Sequence, residues 1–367
     1  MPPVVPAAPQ ATIVRGGDAA TRVTSTYAAL SQEVREAGLL RRAYGYYLVN
    51  GLVLLLALGG VATGFVLLGD SWFQLLVAAA LGVVLTQLAF LTHETAHRQV
   101  FASGPLNDRV GRILANAVVG ISYSWWMTKH TRHHANPNQV GKDPDVAPGV
   151  ISFTREAAAD HHGLLGAITR RQGWLFFPLL TLEGINLHVT AVRSLLTGPP
   201  EDHASRRREL LTVLVRLAVY VAVVLWWLPL GLGLAFLGVQ LAVFGVYMGA
   251  TFAPNHKGMT MIPAGSRIDF LAKQVLTSRN VRGGAWMSVL MGGLNLQVEH
   301  HLFPSMPRPH LARARVIVRA HCARLGLPYT ETSLLRSYAI VVRYLNEVGL
   351  AARDPFDCPL RQRLGRR

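Results

Sequence analysis

Charge-free apolar stretches divide this chain. A bilayer-crossing helix needs about 20 predominantly apolar residues. From about Tyr47 to Leu68, and again from about Trp72 to Leu91, the sequence contains no Lys, Arg or Glu. Gly69-Asp70-Ser71 between them predicts a tight turn, so the two form an antiparallel helical hairpin. A second hairpin is predicted from Leu210 to Trp227 and from Gly233 to about Phe252, with Leu228-Pro229-Leu230-Gly231 as the turn. Arg216 is the one charge inside these spans. It lies near one end, where a long side chain reaches the interface. Two shorter apolar stretches, Ile113–Trp126 and Phe176–Val192, read as interfacial or half-buried helices. The second contains Glu183, Asn186 and His188.

Composition supports that reading. Hydrophobic residues make up 51% and charged residues 15%, against about 25% charged in a typical soluble domain. One membrane body is expected over 44–330, with an N-terminal cytoplasmic tail at 1–43 and a C-terminal cytoplasmic tail at 331–367. Pro, Ala and Gly dominate the start, so about the first 25 residues are expected to be disordered. The start also lacks the basic and apolar regions of a signal peptide. The net charge of +16 is assigned to topology and not to nucleic acid, because Lys and Arg stay on the cytoplasmic side. With Arg35, Arg41 and Arg42 in the cytoplasm, two hairpins return His93–Glu209 and everything after about Pro254 to that face. The outer turns carry no Lys or Arg. Both termini are then cytoplasmic, and a bacterial inner membrane is the expected location. Cys322 and Cys358 have no CxxC spacing, so free thiols are expected rather than a disulfide or a zinc site.

The candidate chemistry lies on that face. Of fourteen histidines, eight fall in four groups: His93 and His97 in HETAH; His130, His133 and His134 in HTRHH; His256 in APNHKG; His300 and His301 in QVEHH. Residues three and four apart share a helix face, so each group presents its rings on one stripe. One such pair is commonly a hydrogen-bonded interfacial histidine. Four groups on one face leave too many polar rings to bury without ligation. Imidazole suits zinc, copper, iron and nickel. Eight are too many for one four-coordinate zinc and suit two metals with open positions. His93-Glu94-x-x-His97 also reads as a zinc-protease motif, which leaves HTRHH and QVEHH without a role.

HETAH, HTRHH and QVEHH, in this order and topology, resemble the three histidine boxes of membrane fatty acid desaturases. The surrounding HHANPNQVGKDPDV, FAPNHKGM and EHHLFPSMPR match as well, and the resemblance covers about Tyr47 to Thr330. Gln297 stands where many members carry His, which resembles front-end and related acyl-lipid or acyl-CoA desaturases. The resemblance implies an all-α integral membrane fold: four transmembrane helices as two hairpins, interfacial helices, and a cytoplasmic histidine-rich cap holding a di-metal site. It implies two non-haem irons ligated by His93, His97, His130, His133, His134, His300 and His301, with His256 as the additional histidine before the third box. It implies O₂-dependent removal of two hydrogens from a fatty-acyl chain of a membrane lipid or acyl-CoA, with two electrons from outside.

Other residues carry supporting expectations. His188 is a candidate extra ligand or hydrogen-bonded core residue. Asp143 and Asp145 are candidate acceptors that orient ligating rings. Gln297 is placed to bond a metal-bound water. Some members carry an Asn one turn before the additional histidine; Phe252 holds that position here, and Asn255 is the neighbour. His161, His162, His203, His310 and His321 sit in polar stretches and are expected to be solvated. Lys129, Arg132, Lys142 and Arg308 are candidates to meet a lipid phosphate or an acidic electron carrier. No flavin, NAD, P-loop or HPGG haem motif occurs, so the electrons are expected from a ferredoxin or cytochrome partner. Hydroxylases and ketolases of lipids, sterols or carotenoids share this pattern. A metal-binding membrane protein without redox chemistry is the reading from another class, and it predicts polar residues lining a path through the spans.

Overall fold

The computed structural model describes residues 17–198 and 203–352. The chain is helical almost throughout. Helices α1 (Gly17–Glu36), α2 (Tyr44–Leu68), α3 (Gln74–Ala96), α4 (Gly104–Arg112) and α5 (Tyr123–Ala135) form the first half. Then come α6 (Gln172–Leu179), α7 (Glu183–Thr197), α8 (His203–Trp227) and α9 (Leu230–His256). Helices α10 (Phe270–Thr277), α11 (Gln297–Leu302), α12 (Arg308–Arg324) and α13 (Leu334–Gly349) follow. Two short parallel strands, β1 (Asn280–Val281) and β2 (Glu331–Thr332), tie the late segments together.

Five stretches are long and apolar enough to cross a membrane: Tyr44–Leu68, Gln74–Ala96, Gln172–Thr197, Ala204–Trp227 and Leu230–His256. Four of them are the expected hairpins. The fifth extends the stretch read as half-buried. Pro178 lacks the amide for an α-helical bond, and the helix passes through a 3₁₀ turn at Leu180–Leu182 before continuing as α7. The apolar pattern shows only Phe176–Val192, because Arg171-Gln172 and Arg193 bound it. The other uncertain stretch also breaks in two. A π-helical turn at Ile113–Val119 ends at Gly120, whose φ of 89° suits a residue without Cβ. Ser122 then caps α5 by accepting from the Trp125 amide.

Lipid-like exposure marks the spans. Leu48, Leu52, Leu55 and Leu56 of α2, and Leu211, Val215, Val219 and Trp226 of α8, stand exposed. The central helices approach through small residues, as membrane helices do. A Cβ on Gly82 of α3 would lie 2.9 Å from the Gln240 carbonyl of α9. One on Gly184 of α7 would lie 2.2 Å from the Leu241 carbonyl.

The described residues outside 44–330 pack against the body. Helix α1 begins at Gly17, inside the stretch expected to be disordered. Its Leu30 and Val34 join a core with Leu271, Val298, Leu311 and Val318. Val341 and Leu345 of α13 pack with Phe176, Leu180 and Ala253. Each terminal helix buries its apolar stripe, α1 against α10, α11 and α12, and α13 against α6 and α9. Cys322 is a free, buried thiol. Residues 1–16, Cys358 and the His203 side chain lie outside the described residues.

Leu345 is fully buried, so Leu345→Ala should cost about 2–5 kcal/mol. Thermal unfolding of the detergent-purified protein should show a clearly lowered midpoint. An unchanged midpoint would mark α13 as a detachable tail.

Candidate metal centre

Four elements far apart in sequence converge at one level. Helix α3 ends in His93 and, at its C-cap, His97. Helix α5 carries His130, His133 and His134. Helix α9 ends at His256, and α11 carries His300 and His301. All eight expected ligands come together. One ring nitrogen from each of His93, His97, His130, His134 and His300 lies within 4.8 Å of the others, and His133, His256 and His301 form a second such group.

The hydrogen bonds fix three tautomers. Asp143 accepts from His133 Nδ1 at 3.0 Å, the Thr277 carbonyl from His256 Nδ1 at 2.9 Å, and Gln274 Oε1 from His301 Nδ1 at 2.9 Å. Gln274 in turn donates through Nε2 to the His134 carbonyl, which orients its amide. In the neutral ring, a protonated Nδ1 leaves Nε2 as a bare lone pair. Yet the Nε2 atoms of His133 and His256 face each other at 3.3 Å. His301 Nε2 is buried with no hydrogen-bond partner at all. Two lone pairs in contact repel unless a cation lies between them. At metal–nitrogen bonds of about 2.0–2.1 Å, adjacent ligand nitrogens sit about 2.9–3.4 Å apart. The ring nitrogens of His93 and His130 (3.1 Å) and of His134 and His300 (3.2 Å) match that spacing. Those of His97 and His130, at 2.7 Å, are slightly closer. The residues therefore fit metal, and the all-imidazole donor set suits iron, zinc, copper or nickel.

Burial keeps five of these rings neutral, as ligands must be. Desolvation pulls His97 down to about 3. It also holds His130, His134, His300 and His301 well below the usual histidine range, with neighbouring imidazoles adding to the effect.

The supporting candidates divide. Asp143 bonds His133, and Asp145 lies 3.4 Å from the same Nδ1. Gln297 Nε2 is 2.9 Å from His256 Nε2, while its Oε1 accepts from Asn255. His188 stays outside both groups: its Nδ1 bonds the Gly120 carbonyl. Phe252 lines a cavity beside His93 with Phe90, Ile121, Tyr123, Trp126 and Met248. Trp126 stacks on His130 at 4.3 Å. Apart from His93, that lining offers a hydrocarbon chain little but apolar surface.

Several expectations need correction. Arg308 is not a surface cation: it is buried and grips Glu94 at both carboxylate oxygens, at 2.5 and 2.8 Å. Glu94 precedes His97 in ExxH order, the pattern of soluble carboxylate-bridged sites. Its commitment to Arg308 removes it as a ligand, and as the base of a zinc-protease motif. Lys129 is paired with Asp145 at 2.8 Å. Arg132 and Lys142 remain exposed. Of the histidines expected to be solvated, His162 is exposed and His161 is half-buried against Thr169. His310 bonds the Leu39 carbonyl, and His321 is buried. Local polarity misled there, because amphipathic helices turn such residues inward.

Sequence reading also missed Gln274, the Thr277 carbonyl and Glu299. Glu299 accepts from Tyr329 and Asn280, and burial pushes it up to about 7. Glu299, inside QVEHH, was within reach of sequence; Gln274 and Thr277 carried no signal.

Fold and site together define a helical membrane protein with two adjoining histidine groups able to hold metal. The sequence profile described as "Fatty acid desaturase" matches residues 70–333. An acyl-lipid (9-3)-desaturase of Physcomitrium patens is 31% identical over 76% of this chain and 54% of its own length. A Delta(8)-fatty-acid desaturase of Helianthus annuus is 26% identical over 90% of this chain and 75% of its own. A Delta(6)-fatty-acid desaturase of Caenorhabditis elegans is 28% identical, covering 89% and 75%. The chain thus spans about half the length of the moss relative, at 54%, and three quarters of the other two. It belongs to the fatty acid desaturase family.

Arg308→Met should leave the Glu94 carboxylate buried without its partner and cost about 3–5 kcal/mol. The double variant Glu94→Leu/Arg308→Met should recover most of that loss. Thermal unfolding of the three proteins checks this. Equal loss in single and double variants would show that the pair's value is packing and not charge compensation.

Proposed function

We propose that this chain is an O₂-dependent desaturase that places a double bond in a fatty-acyl chain at two irons. The observation that carries the reading is the eight-histidine cluster, with lone pairs turned inward, opening on an apolar cavity. We assign His93, His97, His130, His133, His134, His256, His300 and His301 as ligands. Asp143 holds the His133 ring. Asn255 orients Gln297, whose amide points its N–H into the site. Bound iron would supply the O₂ chemistry. The protein's part is to keep the rings neutral, exclude water, and hold an acyl methylene beside His93 and Phe252.

The arrangement also favours four crossings. His93, near the end of α3, faces Phe252, near the end of α9, with ring centroids 6.5 Å apart, so α3 and α9 finish on one side. Helices α8 and α9 are joined by Leu228-Pro229, so α8 starts on that side too. The stretch between α3 and α8 must therefore return to where it began, and Gln172–Thr197 cannot cross alone. Its contacts agree: Phe176 packs with Ala253 near the end of α9, and the Leu195 carbonyl accepts from Arg206 near the start of α8. We infer that it dips in from the histidine side. The excess of basic residues supports a cytoplasmic placement of that side.

Expression in a host lacking the product, with gas chromatography of total fatty acids, should reveal a new unsaturated acid. Purified protein should hold about two irons per chain. His133→Ala or His301→Ala should abolish product and lower iron, while His188→Ala and His162→Ala keep both. Activity with zinc alone, or a dead His162→Ala variant, would refute the assignment.

Electrons are proposed to come from an acidic ferredoxin or cytochrome. The exposed cations nearest the second box are Arg132 and Lys142. Carrier-supported turnover should fall steeply as the screening length shrinks from about 10 Å at 0.1 M salt to about 3 Å at 1 M. Arg132→Glu/Lys142→Glu should slow it at low salt. Turnover with a small neutral reductant should hardly change in either case. Equal salt sensitivity with both donors would remove the docking surface.

A further inference from the structure

We propose that a groove between α2, α3 and α8 binds a membrane glycerophospholipid, with Arg216 holding its phosphate. The groove has a volume of about 750 Å³ and is lined by Leu58, Leu81, Leu85, Val215, Val219 and Tyr220, with Arg216 among them. Its walls are apolar apart from the Tyr220 hydroxyl, the Thr212 hydroxyl and this guanidinium. The Tyr220 hydroxyl is already committed to Gln240 Oε1, and the Thr212 hydroxyl to the Arg208 carbonyl.

Arg216 lacks a counter-ion. Its Nε donates to the Val118 carbonyl at 2.9 Å, and its guanidinium lies over the Tyr220 ring at 4.8 Å. Among the described residues no carboxylate pairs with it. Two terminal amino groups are left with no anion, inside a span that is otherwise apolar from Leu210 to Trp227. An uncompensated charge is expensive there. A lipid phosphate matches a guanidinium fork in charge and in geometry.

Depth supports the same occupant. Arg216 lies six residues beyond Leu210, about 9 Å along the helix. Arginine side chains lean toward the helix N-terminus, here the histidine side. The guanidinium therefore reaches up toward the headgroup level of that leaflet. An acyl chain hanging from a phosphate at Arg216 would run down over Val219, Leu81 and Leu58. Val118 lines this groove, and the next residue, Val119, lines the cavity beside His93. The bound lipid thus lies one wall away from the metal centre. The inference rests on the membrane placement of α8 and not on the desaturase reading.

The test compares phosphatidylglycerol with diacylglycerol of the same chains, added to the detergent-purified protein and read by native mass spectrometry. The full chain should retain the phospholipid about tenfold better, the worth of a charge-assisted contact. Arg216→Gln should fall to the diacylglycerol level, and Arg216→Lys should keep part of the preference. Val219→Trp, which fills the groove and leaves Arg216 in place, should expel both lipids. Thermal unfolding checks that each variant is folded, and Val219→Trp serves if Arg216→Gln is not. Equal retention of the two lipids, or retention unchanged in Arg216→Gln or in Val219→Trp, would overturn the proposal. A chain that makes no double bonds yet shows this lipid pattern would fail the catalytic reading alone.

Discussion

An imidazole whose Nδ1 proton is already committed has only a lone pair to offer from Nε2. Much of the cap exists to impose that condition. Asp143, the Thr277 carbonyl and Gln274 each take the outer proton of one ring. Asp143 is itself held by the Asn138 and Asp145 amides. The Asn138 side chain bonds the His256 carbonyl. The loop after the second box is thereby fastened to the end of α9. Conformational freedom is removed from the ligands before any ion arrives, and that is what makes a buried set of lone pairs specific.

A second fixture joins the membrane part to the cap. Glu94 sits between ligands on α3, and Arg308 opens α12 just after the third box. Their bidentate pair, with Tyr47 accepting from the Arg308 amide, locks the first box to the third. A buried ion pair adds little net stability, because desolvation offsets the attraction. Its use here is registration. The two oxygens and two nitrogens meet in one orientation only, whereas the apolar contacts around them tolerate sliding.

Periodicity revealed the parts of the molecule that obey it. The four strongest apolar runs became helices close to the expected bounds, and helical spacing grouped seven of the eight histidines that come together, His256 standing alone after the last run. It failed where tertiary contacts override local pattern. Arg308 reads as a surface cation because nothing near it in sequence reveals Glu94, 214 residues away. His321 lies in a basic helix, yet faces inward. Gln274 is an ordinary polar residue until α10 brings it under His301. In each case the missing information is a long-range partner, and no local signal carries it.

Ligand origin couples metal to fold. His93 and His256 lie at the ends of the long apolar helices α3 and α9, while His130, His133, His134, His300 and His301 come from the shorter α5 and α11. No helix supplies a complete set for either group: His133 of α5, His256 of α9 and His301 of α11 make one, and the other draws on α3, α5 and α11. A cation bound to either group therefore bridges segments that the chain connects only through long loops. Binding energy gained there is folding energy for the cap. Loss of metal would first free the short α11, where both His300 and His301 would lose their partners, while α3 and α9 stay packed through Gly82. Trp126, stacked on His130, and Phe252, near the end of α9, line the apolar cavity beside His93, so the histidines and the apolar helices share that wall.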